Sequence, residues 1–266
     1  MDADRHTRLV AAKSISQDAG VEALAYFRRL DSLTVEQKGH QDLVSEADKN
    51  VELLIRQRLR EAFPDDGIVG EEHAPVAGTS GYTWVIDPID GTANFLAGIP
   101  TWVVVLACVH GGQTQIGVIC DPVHDELYSA VANEGAYRNG QPMAVSSAPG
   151  LGHGSVGVGY SGRVRELNIC GTITGLIEQG SVFYRNASGA LSLAYVADGR
   201  LLGYVEEHMN AWDYLAGQLL VKEAGGLIEM QDADTVIAEG GRVVVGTPAV
   251  FDTLVTLCNQ TFGQSD

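Results

Sequence analysis

Trp84-Val85-Ile86-Asp87-Pro88-Ile89-Asp90-Gly91-Thr92 decides how the rest of the chain is read. Its apolar opening predicts a short buried strand. That strand runs straight into two carboxylates three positions apart, with a proline stiffening the backbone between them. Gly91 and Thr92 then bring bare backbone N–H groups beside the acids. Hard divalent cations take oxygen ligands, and Mg²⁺ is typically held by a few carboxylates together with water and substrate phosphate. Backbone N–H groups next to such a metal are where a phosphate would sit. The segment points to metal-assisted phosphoryl chemistry. Asp-Pro and Asp-Gly are also common turn pairs, so taken alone the two acids more often mark a surface turn.

Three other segments bear on that choice. Gly70-Glu71-Glu72 places acids at the end of a short strand, Ile68-Val69. Asp42-Leu43-Val44-Ser45-Glu46-Ala47-Asp48 ends in a capping-box pattern with Asp in place of Glu, which starts a helix running to about Ala62 before Phe63-Pro64 stops it. Trp212-Asp213-Tyr214-Leu215-Ala216-Gly217 puts another acid in the first turn of a helix that closes with Glu223-Ala224-Gly225-Gly226. An acid at a helix N-terminus is explained by the helix dipole alone, so neither Asp48 nor Asp213 is diagnostic in isolation.

Taken together, the segments resemble the inositol monophosphatase family, part of a lithium-sensitive, Mg²⁺-dependent sugar-phosphatase superfamily. WVIDPIDGTANF begins at Trp84 and WDYLAGQLLVKEAGG at Trp212, with the GEE turn and the D-x-V-S-x-x-D stretch in order upstream. The likeness runs from about Leu9 to Val255. It implies a layered α-β-α-β-α sandwich, dimeric assembly and a Mg²⁺ cofactor. It also implies roles. Glu71, Asp87 and the carbonyl of Ile89 would hold one Mg²⁺. Asp87, Asp90 and Asp213 would hold a second. Glu71 and Thr92 would activate water, with Asp48 orienting Thr92. The N–H groups of Gly91 and Thr92 would cradle phosphate. Asp90, Gly189, Glu206 and Asp213 would face the substrate, Glu206 gripping a hydroxyl.

Two stretches depart from the family. Many relatives carry Gly-Ser/Thr-Ala where this chain has Ala187-Ser188-Gly189, and Glu206-Glu207-His208-Met209-Asn210-Ala211 differs from the animal inositol enzymes. Both lie near the substrate in the family, so the expected substrate is a small phosphorylated polyol or sugar. Inositol monophosphate is the simplest choice. Fructose 1,6-bisphosphate, histidinol phosphate and 3′-phosphoadenosine 5′-phosphate are alternatives, and a non-catalytic regulatory binding protein is a reading of a different class. Glu72 reads as exposed.

Bulk properties narrow the field. The chain has 266 residues, 45% hydrophobic and 19% charged, with a formal net charge of −17. Such acidity disfavours direct contact with nucleic acid or anionic membranes and makes bound cations the natural partner for phosphate. Cys108, Cys120, Cys170 and Cys258 form no CxxC pair and sit among apolar neighbours, so buried thiols are expected. Met1-Asp2-Ala3-Asp4-Arg5 lacks a signal peptide's apolar stretch, and no apolar run reaches the roughly 18 residues of a membrane span. A soluble, cytoplasmic protein is expected.

Helical spacing covers residues 4–31, with Gly20 as a weak point, and a turn is expected at Lys38-Gly39-His40-Gln41. Residues 73–81 read as a loop. Strands are expected at 103–110 and 115–120 around Gly111-Gly112, then at 126–132 and 135–138 before an Asn139-Gly140 turn. The Ser/Gly/Pro-rich stretch 146–162 marks an internal boundary between an N-terminal α+β half, 1–145, and a C-terminal α/β half, 146–266, forming one compact catalytic unit. The second half alternates strands (181–185, 201–206, 227–230, 242–247) with helices (165–179, 189–198, 212–224, 248–260), which argues a layered α/β or α+β sandwich.

Other signals weigh less. Gly152-His153-Gly154-Ser155-Val156-Gly157 fits GxGxxG but lacks the strand before and helix after that a dinucleotide site needs. No GxSxG elbow exists, and His40, His73, His110, His124, His153 and His208 lack zinc-site spacing. Arg185 is a strand-end residue that either pairs with an acid near a subunit interface or is solvated.

Overall fold

The computed structural model describes residues 3–33, 35–39, 42–160 and 166–262. Helices α1 (Ala3–Phe27) and α2 (Glu46–Ala62) flank a two-stranded ribbon, β1 (Val35–Gly39) and β2 (Asp42–Ser45). Next come β3 (Gly67–Gly70), β4 (Tyr82–Asp90), the short α3 (Thr92–Leu96), β5 (Val103–His110), β6 (Gln113–Asp121), β7 (Glu126–Val131), β8 (Ala136–Arg138) and β9 (Gln141–Pro142). Strands β3 to β9 form one sheet in sequential order, with β3 parallel to β4 and the rest antiparallel. The second half contributes β10 (Ser155–Val158), α4 (Glu166–Glu178), β11 (Val182–Tyr184), α5 (Gly189–Ala197), β12 (Gly203–Met209), α6 (Ala211–Glu223), β13 (Leu227–Ile228), α7 (Ala233–Glu239), β14 (Gly241–Gly246) and α8 (Phe251–Thr261). Its sheet has the order β11-β10-β12-β14-β13.

Strand alternation sets the layers. On β4, Trp84 and Ile86 join Ala12, Ile15 and Ala19 of α1 and Val51, Ile55 and Leu59 of α2 in one core. Val85 points the other way, with Val103, Val105 and Ala107 of β5, onto α5 and α6. The far side of those helices meets Tyr204, Val243 and Val245 of the second sheet. That sheet's outer face carries Val156, Val205 and Val244 against Leu254 and Leu257 of α8 and Leu176 of α4. The result is the α-β-α-β-α sandwich. Helices α5 and α6 are apolar nearly all round because each lies between two sheets.

Gly20 does not interrupt α1. A Cβ there would lie 3.1 Å from Pro122 Cβ and 3.2 Å from Cys120 Sγ, so the glycine marks a close helix–sheet crossing. The hairpin signals correspond to backbone need: Gly111 and Gly112 have φ of 60° and 70°, and Asn139 and Gly140 have 49° and 77°. The start of β4 is tied to α1 by Arg8, which pairs with buried Asp66 at 2.9 Å and lies 3.8 Å above the Tyr82 ring. Trp84 Nε1 donates to the same Asp66 at 3.0 Å.

Several details differ from the sequence reading. Lys38 and Gly39 belong to β1, while His40 and Gln41 lie outside the described residues. The stretch 146–162, an internal boundary in the sequence reading, also holds a strand, β10, and the GxGxxG residues straddle its start, in keeping with a connection that leads into a strand. Helix α7 was not expected, because 233–239 carries little apolar periodicity. Cys170 is exposed on α4, contrary to the expectation for all four thiols, because helical spacing buries Thr172 and Leu176 and turns 170 outward. Among the described residues, no helix is long and apolar enough to cross a membrane.

Candidate metal centre

Two acids three positions apart on a regular strand would point to opposite faces. Here they do not, because β4 bulges. Asp87 lies opposite Val105 and Asp90 opposite Val103, so three steps on β4 match two on β5. The extra residue falls around Pro88, which has no N–H to give the ladder. Both carboxylates therefore turn toward the layer of α5 and α6, and both are buried. Asp87 Oδ1 accepts the N–H of Ile89 at 2.9 Å. Asp90 Oδ2 accepts the N–H of Ala190 at 2.9 Å and the hydroxyl of Ser188, at the start of α5.

Asp213 reaches the same point from α6. As the third residue of that helix it accepts the N–H of Asn210 at 3.1 Å. Asp87, Asp90 and Asp213 each bring a carboxylate oxygen within 4.8 Å of the others. Such convergence has a cost. Burial first, then the charges of Glu71, Asp90 and Asp213, pushes Asp87 well above the usual carboxylate range. Burial pushes Asp90 up to about 6 despite its hydrogen bonds to Ser188 and the α5 backbone. An all-oxygen donor set of mutually repelling, largely buried acids fits a hard divalent cation, which would relieve the repulsion.

Glu71 stands outside that triad but lines the same cleft, half-buried just past the end of β3. Gly91 follows Asp90 at φ 95°, a left-handed turn into α3 that brings Gly91 and Thr92 to the cleft wall. The Thr92 hydroxyl lies 3.1 Å from Asp48 Oδ1 and 3.0 Å from the Ile89 carbonyl. Asp48 completes the capping box of α2: its Oδ2 accepts the N–H of Ser45 at 2.9 Å and its hydroxyl at 2.6 Å. Burial raises the Asp48 carboxyl against the opposing effect of these bonds.

The opposite wall comes from the second half. Glu206 is buried beside the cleft and accepts the Tyr204 hydroxyl at 2.5 Å. Gly159 makes room for it, since a Cβ there would lie 2.0 Å from Glu206 Oε2. Gly189 does the same for Met209, whose methyl would be 2.3 Å from a Cβ. Ala187 adopts φ 60°, a left-handed conformation that favours glycine.

Sequence reasoning missed several neighbours. Ser188 was noted only as a departure, yet it holds Asp90. Arg185 lines the acidic cleft, exposed, its Nη2 donating to the Tyr160 carbonyl at 3.3 Å. Glu72 is half-buried instead of exposed, because its N–H donates to Glu52 Oε2 at 2.8 Å. Glu52 itself is fully buried in α2, and nothing short of the fold distinguishes it from a solvated helix acid.

Comparison with known proteins gives one consistent result. The inositol monophosphatase family matches residues 4–260. The chain is 35% identical to the Nus factor SuhB of Pseudomonas aeruginosa, over 91% of this chain and 92% of that protein. It is 37% identical to an inositol-1-monophosphatase of Mesorhizobium japonicum, over 92% and 90% respectively. Among solved structures, the extragenic suppressor protein suhB from Bartonella henselae matches with a TM-score of 0.87 at 29% identity, covering 96% of this chain and 98% of that one.

Proposed function

The chain belongs to the inositol monophosphatase family, and from that premise we propose that it hydrolyses small phosphomonoesters, most simply inositol monophosphate, with Mg²⁺ as cofactor. The observation that carries the reading is the convergence of Asp87, Asp90 and Asp213, from two distant parts of the chain, to within 4.8 Å. A turn residue or a dipole cap needs no such meeting.

In this reading Glu71, Asp87 and the Ile89 carbonyl would hold one cation, and Asp87, Asp90 and Asp213 would hold a second. The cations, when bound, lower the pKa of a water and supply charge beside the leaving oxygen. Glu71 takes the water's proton, and Thr92 orients that water. The Thr92 hydroxyl has one proton and two acceptors in reach. Asp48, buried at the start of α2, is the carboxylate among them that orients this hydroxyl. The N–H groups of Gly91 and Thr92 hold phosphate oxygens. Glu206, steadied by Tyr204, takes a substrate hydroxyl, and Gly189 leaves room for the ring. Transfer goes directly to water, without a phosphoenzyme.

The substrate class is tested by measuring phosphate release from a panel at fixed Mg²⁺: inositol 1-phosphate, fructose 1,6-bisphosphate, histidinol phosphate and 3′-phosphoadenosine 5′-phosphate. Preference for inositol 1-phosphate, with inhibition by lithium, supports the reading. Preference for another member reassigns the substrate, and no release from any of them overturns the enzyme.

A second reading is favoured by the name Nus factor carried by the SuhB relatives: a regulatory role through a protein partner. The net charge of −17 argues against direct nucleic-acid contact. The same reading takes the protein to be a cytoplasmic homodimer. A regulatory role would survive Asp213→Asn, whereas hydrolysis would not.

A further inference from the structure

Helix α2 carries two parallel rows four residues apart in step. Ala47, Val51, Ile55 and Leu59 face the sheet. Beside them run Asp48, Glu52 and Arg56, all buried. Asp48 holds Thr92. Glu52, one turn on, receives the backbone that directly follows Glu71, which lines the cleft. Its Oε2 accepts the N–H of Glu72 at 2.8 Å, and its Oε1 accepts the N–H of His73 at 3.2 Å and Arg56 Nε at 2.6 Å. Arg56 continues the clasp, its Nη2 and Nη1 donating to the carbonyls of His73 at 2.9 Å and Ala74 at 3.1 Å. These backbone groups lie beyond the end of β3 at Gly70. Two side chains of one helix thus bind the turn that presents Glu71.

Gly70 belongs to the same device. A Cβ at that position would lie 2.4 Å from Glu52 Oε1 and 2.6 Å from its carboxyl carbon. The glycine is there to let the carboxylate in, since its φ is not in the left-handed region. A buried charge is retained only when it is paired and hydrogen-bonded, and Glu52 is both. Replacing the clasp by apolar side chains would leave the turn's N–H and carbonyl groups without partners.

We infer that Glu52, backed by Arg56, is a positioning residue for Glu71, and that α2 fixes Glu71 and Thr92 relative to each other through Glu52 and Asp48. The inference rests on the reading of Glu71 as a cation ligand. Glu52 touches neither substrate nor cation; it acts by holding the turn.

The test compares Glu52→Gln, Gly70→Ala and Glu71→Gln with the wild type. Amide hydrogen exchange across residues 70–75 is measured without metal, and Mg²⁺ binding is measured by calorimetry on the intact protein, beside phosphate release. In Glu52→Gln, exchange at 72 and 73 should accelerate about tenfold or more, and Mg²⁺ affinity should fall about 10- to 100-fold, as supporting partners of metal ligands typically dictate. Release at saturating Mg²⁺ should fall much less. Gly70→Ala, which displaces the same carboxylate, should give the same pattern and decides the matter if Glu52→Gln does not fold. A merely structural role would lower the folded fraction and leave Mg²⁺ affinity unchanged, which overturns the inference. Normal exchange and affinity in both variants while Glu71→Gln loses Mg²⁺ also overturns it, and leaves the metal centre standing. Unchanged Mg²⁺ binding in Glu71→Gln instead removes the reading on which it rests.

Discussion

Asp48 and Asp213 occupy the same place in two helices, yet they differ in what they face. Each is the third residue of its helix and reaches back to the N–H of the residue that opens it, at 2.9 Å for Asp48 and 3.1 Å for Asp213. Asp48 then meets a hydroxyl, that of Thr92. Asp213 meets two other carboxylates. The local device is identical, so the capping pattern explains why each acid is present and not what it does. The second residue at the contact separates the roles proposed for them: a hydroxyl suits an acid to an orienting acceptor, and two further acids suit it to a cation site.

The largest expected effect lies on the Asp213 side of the comparison. Asp213→Asn keeps an acceptor for the Asn210 N–H but removes a charge from the cluster. Phosphate release should fall by at least three orders of magnitude, about 4 kcal/mol of transition-state stabilisation, for every substrate. The metal-free protein should be as stable as the wild type or more so, because mutual repulsion drops. Loss of folding in a thermal melt would return Asp213 to the rank of a helix cap.

Glu206 sharpens the contrast, since it enters the cleft from the second sheet and accepts the Tyr204 hydroxyl. Glu206→Gln retains shape and removes one charge. The expected loss is about 1.5–3 kcal/mol, appearing in KM or in substrate ranking. Equal loss across three phosphomonoesters would show that it sets no preference.

Asp48→Asn comes next. The amide still accepts from Ser45 or Thr92, but more weakly. About tenfold loss in kcat is expected, together with about 1 kcal/mol of stability from the weakened cap. If its effect equals that of Asp213→Asn, the distinction between the two helix starts fails.

The smallest effect concerns the rim. Ala187 sits at φ 60°, which costs an L-residue about 1–2 kcal/mol. Ala187→Gly should recover about 0.5–1 kcal/mol in denaturant unfolding, part of the relief being offset by glycine's greater unfolded-state entropy. No gain would mean that the cleft wall carries no such strain.

Local signals made much of this legible in the sequence. The capping box at Ser45, the apolar run of β4 and the paired turn residues at Gly111-Gly112 and Asn139-Gly140 each announce their geometry within a few residues. What stayed hidden depends on distant partners. The bulge that turns Asp87 and Asp90 to one face is a matter of register with β5. Glu52 in the middle of a helix looks like any solvated acid until the turn at 72–73 folds over it. The bounds of strand β10 are obscured in a glycine- and serine-rich stretch because Val156 and Val158 are its only strong apolar signal. The cluster residues were named through resemblance; the spacing alone left each with an innocent reading.

The central claim is that these acids work only as a cation site, and the most direct test is phosphate release from inositol 1-phosphate as Mg²⁺ is titrated into metal-stripped protein. Release should be absent in EDTA, rise saturably with Mg²⁺, and fall as lithium is added. Full turnover in EDTA would contradict the account.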